Sequence, residues 1–172
     1  MVFAYFDRLS AAQKRIYRKS DGIPAVPLPR RQDLHPLIPG LSAALEREDR
    51  AAVELLCREI ADGIAARLEV PLLRVRVLAV RPSASWGELH GLYEPAEGRA
   101  RAVITLWMRT AKQRRVVAFK AFLRTLLHEL CHHLDYELFH LPDSFHTEGF
   151  YQRESSLFHQ LVPDKAETGP TA

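Results

Sequence analysis

Leu126-Leu127-His128-Glu129-Leu130-Cys131-His132-His133-Leu134-Asp135 is the stretch on which the reading of this chain turns. It holds an HExxH pattern, His128 to His132, inside a longer apolar-periodic run. On an α-helix of about 3.6 residues per turn, side chains at i and i+4 lie roughly 40° apart, so both imidazoles can reach one metal ion. Glu129 leans toward the same place, where it can take a proton from water at the metal. Around the pattern, Val116, Phe119, Phe122, Leu123, Leu127 and Leu130 form a wide apolar stripe, and the spacing predicts a buried helix over 115–139.

Upstream, Leu73, Val75 and Val77 alternate with Arg74 and Arg76, the pattern of a half-buried strand. Pro82-Ser83-Ala84-Ser85 predicts a turn. Residues 86–93 and 101–108 predict two more strands, joined as a hairpin through Pro95-Ala96-Glu97-Gly98. Val103-Ile104-Thr105-Leu106-Trp107 is the candidate edge strand on which an extended peptide could pair. Downstream, Pro142-Asp143-Ser144 predicts a turn and 148–161 a last helix.

Toward the N-terminus, Ser10 and Gln13 have the spacing of a capping box opening a helix through about Lys19, with Ser20-Asp21-Gly22 ending it. Residues 23–40 hold Pro24, Pro27, Pro29, Pro36 and Pro39, a density that predicts an extended strap lying on the surface. Ser42 is a candidate cap for a second helix whose apolar residues, Leu45 to Leu68, keep helical spacing until Pro71. The expected architecture is α+β in one domain over 1–172. It comprises a helix and strap over 1–40, a core over 41–162 and a frayed tail over 163–172.

The 172 residues suit a single core, and 47% apolar composition argues against overall disorder. A net charge of +3 is a mild basic excess, so nucleic-acid contact is weakly supported and a solvated surface explains the arginines. Two cysteines, Cys57 and Cys131, form no CxxC pattern and fit a reducing compartment. No signal-peptide core follows the N-terminus, and no run has the roughly 20 apolar residues of a membrane span. The expectation is a soluble cytoplasmic protein.

A hydrolytic zinc usually has three protein ligands and one open position. His128 and His132 supply two, and His146, beyond the turn, is the best candidate for the third. Asp135, Glu148 and Glu154 are alternatives. Asp135, at i+3 from His132, is also placed to orient a ligand imidazole. Glu129 is the expected general base and Zn2+ the expected cofactor. His133 is expected to be exposed or beside Glu129. Tyr151 and Arg153 are candidate donors to an oxyanion, with a core tyrosine and a surface arginine as the plainer roles. His35, His90, His140 and His159 have no motif around them. The function this predicts is hydrolysis of peptide bonds in a protein or peptide substrate. The alternative is a non-catalytic zinc-binding domain that recognises a protein or nucleic-acid partner.

His128 to His132 followed by Phe145-His146-Thr147-Glu148-Gly149-Phe150-Tyr151 resembles the SprT-like and WLM zinc metallopeptidases. Gly91-Leu92-Tyr93 with Ala102 to Leu106 resembles the hairpin that precedes their active helix. The likeness covers roughly residues 70–160. It implies a small zincin-like fold, with a short sheet packed on the active helix. It also implies His128, His132 and His146 as zinc ligands and Glu129 as catalytic acid/base.

Overall fold

Five α-helices and a small mixed sheet make up the described part of the chain, residues 2–164 of a computed structural model, and the arrangement is α+β. The expected tail falls mostly on 165–172, outside the described residues. A 3-10 turn (Ala4–Arg8) precedes α1 (Ala11–Asp21). Ser10 and Gln13 form the capping box: Gln13 N–H donates to Ser10 Oγ at 3.2 Å and Ser10 N–H to Gln13 Oε1 at 2.9 Å. Such a cap is worth about 1 kcal/mol. The helix runs two residues past Lys19, to a C-cap at Gly22.

The proline strap is extended only through its first part. Gln160 clamps it there, accepting from Leu28 N–H and donating to the Val26 carbonyl, both at 2.8 Å. Val26, Leu28 and Leu34 are buried while Pro24, Pro27 and Pro29 are exposed, so the strap lies on the surface and sinks its apolar side chains into the core. Its end is helical, because α2 spans Leu37–Glu46 with Pro36 as N-cap. Pro39 lies in the first turn, where a missing N–H costs no intrahelical bond. Ser42 is therefore inside α2 and caps nothing.

The expected long second helix is two. Glu48 takes a left-handed φ of 56°, and Asp49 caps α3 (Arg50–Arg67) by accepting from Ala52 N–H at 3.1 Å. β1 (Arg74–Val80) follows, then β2 (Ser83–Ala84) and β3 (Gly87–Glu88), a short hairpin where a turn and the start of a strand were expected. β4 (Gly91–Glu94) and β5 (Val103–Arg109) pair antiparallel, Tyr93 opposite Ile104. β1 pairs parallel to β5, Val75 opposite Ile104, so the order is β1-β5-β4. β5 is thus the central strand and β1 and β4 are the edges, which corrects the expectation for residues 103–107.

α4 (Phe119–Glu137) starts later than the stripe suggested. Val116 bridges Arg109 and Val117 N–H donates to the Met108 carbonyl, so this piece extends the sheet instead. α4 packs on β4 and β5, α3 on β1, and α5 (Glu148–Leu161) on α4 and α1. Val75, Val77, Ile104 and Leu106 meet Leu123, Leu127 and Leu130 in one continuous core. Among the described residues, no helix is long and apolar enough to cross a membrane.

Candidate metal centre

α4 presents His128 and His132 on one face, and the loop after it brings His146 back across them. His146 Nε2 stands 3.1 Å from His128 Nε2 and 3.0 Å from His132 Nε2. Around a tetrahedral zinc with bonds of about 2.0–2.1 Å, ligand nitrogens lie roughly 3.3 Å apart. The separations fit one ion held by three imidazoles.

The partners on the far side of two rings strengthen that fit. His128 Nδ1 lies 3.1 Å from Glu154 Oε2, and a carboxylate accepts only, so Nδ1 carries the proton. His132 Nδ1 lies 2.7 Å from Ser144 Oγ, and Ser144 in turn donates to Asp135 Oδ2 at 2.6 Å. That spends the hydroxyl proton, so His132 Nδ1 is again the donor. Both Nε2 atoms are left with lone pairs converging on His146, an arrangement that a cation satisfies. Burial, with His128 second, pushes His132 down to about 3 and His146 down to about 4, His146 adding to the first shift and Glu154 opposing the second, so both stay neutral and able to ligate.

Glu129 lies on the wall of the same cleft and is 7% exposed. Burial pushes its carboxyl up to about 7; His128 opposes this and Glu154 adds to it. A carboxyl poised near neutrality is suited to accept and return a proton. The cleft, about 680 Å³, runs from His90, Gly91, Leu92 and Tyr93 on the β4 side across α4 to Ser144, His146 and Tyr151.

Of the alternative ligands, Glu154 and Asp135 stand behind the imidazoles, on the Nδ1 side. Glu154 holds the back of His128, and Arg124 stands 3.7 Å from its other oxygen. Glu148 opens α5 as a first-turn acid. Asp135 is fully buried against Arg153 at 2.8 Å and reaches His132 only through Ser144. Burial raises the Asp135 pKa, against the pull of its Ser144 and Arg153 donors.

Two expectations change. Arg153 is neither a surface residue nor an oxyanion donor: it is 0% exposed, and its donors go to Asp135, Ser20 and Ile23. His133 is buried too, its Nε2 donating to the Pro71 carbonyl at 2.8 Å while Tyr93 Oη donates to its Nδ1 at 3.0 Å. His90 lines the cleft, whereas His35, His140 and His159 do not. Tyr151 is 41% exposed at the cleft, its ring about 6 Å from His128 and His146.

Two residues at the site escaped the sequence reading. Gly91 faces Glu129 so closely that a Cβ there would sit 2.7 Å from Glu129 Oε1 and 2.8 Å from Thr125 Cγ2. Its signal was a glycine opening a strand beside a helix that carries Thr125 and Glu129 one turn apart. Ser144 offered only its place in the turn between the HExxH helix and His146. No family model, no curated protein and no solved structure matches the chain.

Proposed function

We propose that this protein is a zinc-dependent metallopeptidase of SprT-like or WLM type, with a zincin-like fold, and that it cleaves extended or unfolded segments of a protein substrate. The observation that carries this reading is the convergence of three imidazole Nε2 atoms beside a buried, near-neutral Glu129 in a cleft walled by a free sheet edge. His128, His132 and His146 are the zinc ligands. Zinc held there supplies Lewis acidity, which makes water easier to deprotonate and a carbonyl easier to attack.

The remaining work belongs to side chains and backbone. Glu129 accepts a proton as water attacks the scissile carbonyl and delivers it to the leaving amine nitrogen. Glu154 and Ser144 hold His128 and His132 in the tautomer that leaves Nε2 free. β4 pairs with the substrate main chain, which fixes an extended backbone beside Glu129 without reading side chains closely. Tyr151, beside the imidazoles, is placed to donate to the substrate oxygen that gains charge.

The test is metal content by mass spectrometry on protein purified without added metal, joined to cleavage of an unfolded protein. The expected result is about one zinc per wild-type chain and much less in His146→Ala. Glu129→Gln should keep its zinc and lose cleavage by about 10²–10⁴-fold. A wild type without bound metal would end the proposal. Zinc uptake without cleavage of any unfolded substrate would leave a metal-binding recognition domain in its place.

A further inference from the structure

Ser144 stands between a candidate ligand and a buried ion pair, and the hydrogen bonds there run in one direction only. Arg153 has donors and no acceptor. Its Nη2 donates to Asp135 Oδ1 at 2.8 Å and to Ser20 Oγ at 2.9 Å, and its Nη1 to the Ser20 and Ile23 carbonyls at 2.6 Å each. Asp135, with the guanidinium on one oxygen, accepts on the other from Ser144 Oγ at 2.6 Å. The hydroxyl proton is thereby committed, and toward His132 Nδ1, 2.7 Å away, Ser144 can only accept. From Arg153 Nη2 through Asp135 and Ser144 to His132 Nδ1 each bond thus has an assigned donor, while the buried Arg153 Nε–H lies off this path without a partner.

We infer that Ser144, backed by Asp135 and Arg153, is a positioning residue that locks His132 as its Nδ1–H tautomer, so that Nε2 is ready before any ion arrives. The inference rests on reading the three imidazoles as a metal centre. It adds that the centre is preset by the N-terminal part of the chain, because Arg153 is itself held by the end of α1. Ser20 Oγ also lies 3.3 Å from Thr147 Oγ1, and the Asp21 carboxylate accepts from Gly149 N–H at 3.0 Å. Thr147 and Gly149 flank the start of α5, next to His146. The same few residues at the end of α1 therefore brace two of the three candidate ligands. A free imidazole populates both tautomers, and a ring fixed by a hydrogen bond spends no free energy choosing one when it binds.

Two measurements on the full chain test this. Long-range proton–nitrogen NMR on metal-free protein reads the tautomer of His132 directly. Zinc affinity is read by competition against a chromophoric chelator. Wild type and Ser144→Thr should show His132 as Nδ1–H. Ser144→Ala should show mixed tautomers and bind zinc about 10–100-fold more weakly, the usual cost of losing a group that orients a ligand. If Ser144→Ala fails to fold, the near-isosteric pair Ser144→Thr and Ser144→Val carries the same contrast. Zinc-binding wild type together with a Ser144→Ala that keeps both the Nδ1–H tautomer and full affinity would overturn the inference and leave the metal centre standing. A wild type that takes up no zinc would overturn both.

Discussion

At the β1 edge of the sheet, the backbone of Val77 is closed off by side chains from α3. Its N–H donates to Glu54 Oε2 and its carbonyl accepts from Arg50 Nη1, each at 2.9 Å. At the β4 edge no strand pairs with the outer side among the described residues, and Gly91, Leu92 and Tyr93 line the cleft instead. Exposed strand edges invite pairing with other chains, so proteins blunt them. Here one edge is blunted and the other is kept open next to Glu129. The contrast gives the proposed substrate strand a place to pair, along β4.

The contrast breaks most completely at Gly91. Gly91→Val keeps the strand but drives side-chain atoms into the Glu129 carboxylate. Cleavage should fall by about 100-fold or more, in keeping with loss of a general base, while zinc per chain stays unchanged. Equal loss of zinc and activity would show that the glycine supports the whole site rather than Glu129 alone.

A subtler test changes the substrate rather than the protein. Peptides with one backbone amide N-methylated lose a single donor to β4 at a time. At the positions that pair with the strand, cleavage should weaken by about tenfold, the upper end of one hydrogen bond's net worth. A flat response across all positions would remove strand pairing from the proposal.

The smallest effect belongs to the closed edge. Glu54→Ala with Arg50→Ala uncovers the Val77 backbone and should cost about 1 kcal/mol, seen as a few degrees in Tm. Sedimentation should then show new self-association, since β1 would present a second open edge. A double variant with the oligomeric state and stability of the wild type would show that the two side chains do not guard it.

The sequence placed α5 and the HExxH helix well, because periodicity of 3.6 and the spacing of His128 and His132 are both local signals. It misjudged the sheet edge for an instructive reason. Val103 to Met108 is apolar but for Thr105 and is buried almost throughout, which is how a strand covered on both faces reads. β4, with alternating exposure over four residues, carries the weaker signal and is an edge. The break between α2 and α3 was hidden because apolar spacing continues across it, while Glu48 and Asp49 carry the turn and the cap. Arg153 had no legible signal at all. An arginine on a helix reads as exposed until Ser20, Ile23 and Asp135, all distant in the chain, are seen to enclose it.

The bond from Tyr5 Oη to the His146 carbonyl joins residues 141 positions apart. The loop that carries His146 follows α4 directly, but the contact that ties it to Tyr5 spans a far longer stretch of chain. Closing so long a loop is entropically costly and slow compared with forming a helix. The tie between His146 and the N-terminal turn is therefore expected to form after α4, and under the proposed peptidase reading such timing would spare the unfinished chain.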